Sequence, residues 1–138
     1  MRAWRGMVDE SGSGIDALHA TWSEAIRQAD IEGAVELLTE DYVLWAAGAS
    51  PIMGRQSVRS VLASSFASYV IEPRFEREER IVSGDLAVEQ GWDVQTIRPR
   101  GGGAARTQRQ RVLIVLRRGP DGRWRYARGM SQAGPDTA

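Results

Sequence analysis

Between Ile15 and Gln28 the apolar positions Ile15, Leu18, Trp22, Ala25 and Ile26 recur every three or four residues, which predicts one amphipathic helix. Asp30 then precedes a second run of helical period, Ile31, Ala34, Val35, Leu37 and Leu38. Aspartate is a good N-cap and Glu32 suits the positive end of a helix, so a short second helix is predicted up to about Thr39–Asp41. Tyr42–Ala46 is β-prone, and Gly48–Gly54, with Ser50-Pro51, reads as a loop. A third helix is expected over Arg55–Ser68, with Val58, Val61, Leu62, Ser65 and Phe66 on one face.

The period then changes from helical to strand-like. Arg74–Ser83, Leu86–Arg98, Thr107–Arg118 and Arg123–Ser131 each read as strands. They are separated by Gly84-Asp85, by the loop Pro99–Ala105, and by Gly119-Pro120-Asp121-Gly122. Helices followed by a meander, with no strand-helix-strand alternation, predict an α+β fold in which three N-terminal helices pack in the concave face of a strongly curved antiparallel or mixed sheet. A long twisted sheet curls, and curling leaves a hollow. On the second long strand Ala87, Glu89, Gly91, Asp93 and Gln95 share one face, and Val88, Gln90, Trp92, Val94 and Thr96 the other. On the last strand Trp124, Tyr126, Arg128 and Met130 are expected on one face, as lining of the concave side or as plain core.

The 138 residues suit a single domain, with 42% hydrophobic and 26% charged residues and no apolar run near the ~20 residues of a membrane span. Residues 1–14 are polar and rich in glycine and serine, read as a flexible N-terminal arm without a secretory leader. The domain is expected over 15–135 with a tail at 136–138, in a cytoplasmic protein. There is no cysteine, the one histidine is His19, and all 18 basic residues are arginine. Thiol chemistry, a lysine nucleophile and a recognisable zinc site are thereby excluded, and neither cofactor nor metal is expected. The zero net charge conceals an asymmetry: Arg98–Arg128 carries ten arginines against one acid, whereas residues 1–97 carry eight against sixteen. Those arginines alternate with Val, Leu and Ile on strands, which argues for solvated or subunit-facing positions rather than nucleic-acid binding.

The segment Trp124-Arg125-Tyr126-Ala127-Arg128-Gly129-Met130, with Asp121-Gly122-Arg123 before it and Gln132 and Pro135 after, resembles the terminal strand of nuclear-transport-factor-2-like proteins. The resemblance extends to Trp22 and Ala25, Ala29-Asp30, Leu37-Leu38, Glu40-Asp41-Tyr42-Val43, Gly54-Arg55, Gly84-Asp85-Leu86-Ala87 and Arg111 before Val112–Arg118. It points to the branch of SnoaL-like cyclases and of the calmodulin-dependent kinase association domain. It implies a cystatin-like cone, commonly dimeric through its sheet, with a pocket between helices and sheet. Because that fold hosts isomerases, dehydratases, cyclases, epoxide hydrolases and pure binding domains, it implies no single reaction. Steroid isomerases of this fold place an aspartate base where this chain reads Val43-Leu44-Trp45-Ala46-Ala47, with no carboxylate. The carboxylate-arginine-carboxylate set of the epoxide hydrolases is matched in part by Asp93, Arg111 and Arg128.

The candidate site follows from these residues. Asp93 is the proton-transfer group, since a carboxyl among apolar neighbours can act as acid or base. Arg111 and Arg128 would orient a ligand or stabilise an oxyanion. His19 is a candidate pocket acid or base, and Tyr42 a hydroxyl donor at the pocket mouth. Trp22, Trp45, Gln95, Trp124, Tyr126 and Met130 would complete a wall for a small, apolar, oxygenated ligand. The bland alternatives are an ion pair between Asp93 and an arginine, and core packing of Trp124 and Tyr126. Two functions stand side by side: a ligand-binding protein or cofactor-independent isomerase, lyase, cyclase or epoxide hydrolase, and a non-catalytic module whose outer sheet face, with Trp92 and Val94, makes a homodimer.

Overall fold

The computed structural model describes the backbone of residues 2–134 and the side chains of residues 12–134; Pro135 and the expected tail at 136–138 lie outside the described residues. The order is α1 (Arg2–Arg27), α2 (Ile31–Val35), β1 (Leu38–Trp45), β2 (Ile52–Met53), α3 (Gly54–Ser68), β3 (Tyr69–Ser83), β4 (Leu86–Pro99), β5 (Arg106–Arg118) and β6 (Trp124–Ala133). The fold is mixed α+β, three helices with a curved, unclosed six-stranded sheet in the order β2-β1-β6-β5-β4-β3. All strand pairs are antiparallel except β1 with β6. No helix among the described residues is long and apolar enough to cross a membrane.

Three boundaries differ from those the periodicity predicts. Helix α1 runs back through the segment read as an arm, and its glycines have packing roles there. A Cβ on Gly14 would stand 3.0 Å from Trp124 Cδ1, and the Gly12 carbonyl accepts from Arg80 at 3.2 Å. Helix α2 stops at Val35 instead of continuing past Leu38. Leu37 and Leu38, which fit a helical stripe equally well, are buried by pairing with β6: Tyr126 N–H donates to Leu37 O at 2.9 Å, and Leu38 lies opposite Tyr126. Strand β3 starts at Tyr69 rather than Arg74, because five further residues find partners along β4 from Pro99 to Gln95.

Local signals hold where they are chemically specific. Asp30 caps α2, its carboxylate accepting from Gly33 N–H at 3.0 Å. Ala29, between α1 and α2, is left-handed at φ 54°, a conformation a side chain disfavours. Arg55 at the start of α3 donates twice to Leu38 O, at 3.1 and 2.7 Å, tying the helix to β1.

Two bulges shape the sheet. In β3 the register against β4 slips between Arg77 and Glu79, opposite Gly91. A Cβ on Gly91 would lie 2.2 Å from Glu76 O, so only glycine admits so close an approach. In β6 the register slips at Ala127, between Tyr126 and Arg128. Bulges bend a strand and increase its twist, and here they curl the sheet over α1 and α3. The core fills most of the resulting concavity: Ile15, Leu18, Val35, Leu37, Leu38, Val58, Ala87, Leu116, Trp124 and Tyr126 form one cluster, and Ala25, Ile26, Ala34 and Phe66 a second.

Candidate functional site

The part of the concavity that the core leaves open is a cavity of about 210 Å³ between α1 and the sheet. Strand alternation puts Asp93 and Gln95 of β4 on its wall, and their partners across the ladder, Phe75 and Pro73 of β3, stand beside them. Helix α1 contributes His19, Trp22 and Ser23, one turn apart on the face turned to the sheet; β1 contributes Tyr42 and Leu44, and β6 contributes Tyr126, Gly129 and Met130. A Cβ on Gly129 would come within 3.0 Å of both the Tyr42 hydroxyl and Leu44 Cδ1, so the glycine keeps that corner open. A second hollow of about 230 Å³ between α1, α3 and β3 shares Trp22, Tyr42, Leu44, Pro73 and Gln95 with the first. The two adjoin along these shared residues, and the first is the chamber that holds Asp93.

Asp93 is the isolated carboxyl of this chamber. Its one hydrogen-bond partner is Gln95, whose Nε2 donates at 2.9 Å, and among the described residues no arginine lies within ion-pairing distance. Burial therefore pushes its pKa above the ordinary 3.8, against the smaller lowering effect of the Gln95 bond. The ion-pair alternative for Asp93 does not materialise. Tyr42 is pushed up to about 12, by burial first and by the charge of Asp93 second, so it stays a neutral hydroxyl. Tyr126 is raised well above 10 by burial and by the nearby Glu89, Tyr42 and Asp93.

A second polar group adjoins the cavity through His19 and Tyr126. Glu89, on the same face of β4 as Asp93, is 0% exposed. Its Oε1 lies 2.5 Å from His19 Nε2, and its Oε2 accepts from Arg80 Nε at 2.9 Å. His19 Nδ1 lies 2.7 Å from the Tyr126 hydroxyl, and Arg80 in turn reaches Asp16 at 2.6 Å. Burial works to raise the Glu89 pKa, but the hydrogen bonds and charges of His19 and Arg80 outweigh it and hold it below the ordinary 4.5. The His19 ring is also clamped between Phe75, at 4.8 Å, and Tyr126, at 5.5 Å.

Seven of the eleven sequence candidates therefore meet at the cavity: Asp93, His19, Trp22, Tyr42, Gln95, Tyr126 and Met130. Four stand elsewhere. Trp124 is core, packed on Gly14, with the Arg118 guanidinium 5.2 Å from its ring centroid. Trp45 is 55% exposed, since Leu44 takes the inward position on β1. Arg128 points outward, donating to Asp41 O at 2.9 Å, because the Ala127 bulge reverses the alternation that would have aligned it with Tyr126. Arg111 is on the outer face, 5.7 Å from the Trp92 ring centroid. The partial match to a carboxylate-arginine-carboxylate set is thus not assembled. The residues that sequence reasoning left out of the site are Glu89 and Arg80. Their signal was present in part: Glu89 shares a strand face with Asp93, but its pairing with His19 across 70 residues has no local signature.

A family model described as a SnoaL-like domain matches residues 14–127. Among curated proteins none matches the chain. Among solved structures, the chain is similar to a conserved protein from Planctomyces limnophilus at 24% identity and TM-score 0.85, covering 93% of this chain and 99% of that one. It is similar to an NTF2-like protein with a cystatin-like fold from Novosphingobium aromaticivorans, at 21% identity and TM-score 0.80 over 99% and 90% of the two chains. It is also similar to a candidate calcium/calmodulin dependent protein kinase II association domain from Xanthomonas campestris, at 21% identity and TM-score 0.77 over 89% and 87%. At these identities the structures show a shared fold, whereas the family model spans most of the chain. The chain belongs to the SnoaL-like family, with an NTF2-like, cystatin-like fold.

Proposed function

We propose that the protein binds a small, apolar, oxygen-bearing molecule in the chamber between α1 and the sheet, and that Asp93 moves a proton on it. The carrying observation is that Asp93 is half-buried, pairs with no cation among the described residues and faces an open space lined by Leu44, Pro73, Phe75 and Ile114. A carboxyl in such surroundings is raised toward the pKa of the groups it must exchange protons with, which is how general acid-base sites are tuned. The hydroxyls of Tyr42 and Tyr126, both kept neutral by burial, supply hydrogen bonds to a ligand oxygen. The reaction class this supports is isomerisation, elimination or cyclisation of an oxygenated apolar compound, without a nucleophile from the chain. The test uses 2-acetylnaphthalene in D2O, followed by NMR for deuterium entering the methyl group beside the carbonyl. Exchange faster than in buffer and abolished by Asp93→Asn is expected; equal rates for wild type and Asp93→Asn would remove Asp93 from the chemistry.

A second reading, a homodimer through the outer sheet face, is favoured by a row of apolar side chains running straight across three strands. Trp45, Met130 and Leu113 are register partners on β1, β6 and β5 and are 55%, 48% and 43% exposed. Leu113 and Met130 also border the cavity, so a second copy covering this row would stand at its edge. Sedimentation velocity on serial dilution is expected to give a dimer that Leu113→Arg dissociates; a wild-type monomer at every concentration would refute it.

A further inference from the structure

The His19 ring is held by two groups of different hydrogen-bonding capacity. Glu89, facing Nε2, is a carboxylate and can only accept; Tyr126, facing Nδ1, can donate or accept. With one proton on the ring, that proton belongs on Nε2, and Nδ1 accepts the Tyr126 O–H. The phenol then offers the cavity lone pairs alone. With two protons on the ring, Nδ1–H donates to the Tyr126 oxygen, and the phenolic hydrogen is released to donate elsewhere.

We propose that His19 is a proton-operated switch that sets the hydrogen-bonding sense of Tyr126 toward the cavity, admitting an acceptor-only ligand such as a ketone when the ring is doubly protonated and a hydroxyl donor when it is singly protonated. This deepens the proposed function and rests on it for the ligand's location. An imidazole ring can carry one proton or two, and His19 is the one histidine of the chain. The groups that face it come from every neighbouring element. They are Asp16 on α1, Arg74, Arg77 and Arg80 on β3, Glu89 and Asp93 on β4, Tyr42 on β1 and Tyr126 on β6. Arg77, Arg80, Asp16 and Glu89 are joined in one network of two positive and two negative charges, which leaves the imidazole as its variable member. Glu89 is a positioning residue here: it reaches the ligand through the proton position on His19.

The position of the proton can be read directly, since 15N-histidine labelling marks His19 alone. In the ligand-free protein the singly protonated form is expected to carry its proton on Nε2, and Glu89→Gln to lose that preference. A proton on Nδ1 in wild type overturns the proposal. Binding of 2-acetylnaphthalene and of 2-naphthol is then measured across the His19 titration seen by NMR. Ketone affinity is expected to fall about tenfold as the ring loses its second proton, the value of one hydrogen bond, while that of naphthol does not fall. The dependence should vanish in Tyr126→Phe, which keeps the ring, and persist in Asp93→Asn, which removes the other titrating carboxyl facing the cavity. Ketone binding that is indifferent to the His19 titration, or a dependence surviving Tyr126→Phe, overturns the switch and leaves ligand binding standing. If neither compound binds, the ligand reading fails, and the switch is decided by NMR: a His19 titration unmoved by Tyr126→Phe overturns it, and a displaced one supports it.

Discussion

Removing the Glu89 carboxylate tests whether the buried network is a structural necessity as well as a site. Glu89 is 0% exposed and makes two charge-assisted contacts, to His19 at 2.5 Å and Arg80 at 2.9 Å. Each such bond is worth about 1.5–3 kcal/mol, and breaking a buried pair from one side costs about 3–5 kcal/mol. The partners are not wholly orphaned: Arg80 keeps Asp16 at 2.6 Å and Gly12 O at 3.2 Å, and His19 keeps Tyr126 at 2.7 Å. Glu89→Ala should therefore cost near the lower bound, about 3 kcal/mol, and Glu89→Gln, which retains one acceptor, about half of that. In urea, with a slope of about 2 kcal/mol per M, the alanine variant's midpoint moves down by about 1.5 M at unchanged slope. The pH dependence has a definite sign. Because the folded-state pKa of Glu89 is lowered, its stabilisation is present above the ordinary value of 4.5 and is lost as pH falls through the folded value. The gap between wild type and Glu89→Gln should hence narrow below about pH 4.5. An alanine variant within about 1 kcal/mol of wild type at neutral pH, or a gap that widens in acid, would refute the assignment of Glu89 as a paired, ionised buried group.

Asp93 has the opposite sign: burial raises its folded-state pKa, so stability declines as pH rises from 3.8 through that value, and Asp93→Asn should melt higher than wild type at neutral pH but not in acid, as paired thermal scans would show. Gly91→Ala places a Cβ 2.2 Å from Glu76 O at the bulge of β3, and is expected to destabilise by more than about 3 kcal/mol in urea titrations while opening the β3-β4 ladder to amide exchange. Ala29→Gly should do the reverse of an ordinary alanine-to-glycine change, stabilising by up to about 1 kcal/mol because φ is 54° there; a loss of stability would show that the left-handed turn is not strained.

How much of this was legible depended on the range of the interaction. Helix α3 and the long strands follow from period alone, and the alternation on β4 placed Asp93, Gln95 and Glu89 on one face as observed. The same alternation failed on β6, where one extra residue, Ala127, turned Arg128 outward and gave its inward place to Gly129. Leu37 and Leu38 matched a helical stripe, and only the parallel pairing with β6 made Leu38 part of a strand.

The order of hydrophobic and polar residues determined the class of fold and the stock of chemical groups, because both depend on short-range periodicity and on which side chains exist at all. What the tertiary structure alone decided is which of those groups meet. His19 and Glu89 are 70 positions apart, and His19 and Tyr126 107, so their contact is a property of how tightly the sheet curls. Asp93 kept free of arginine has the same origin, since a bulge one residue long sends a cation to one side of the sheet or the other.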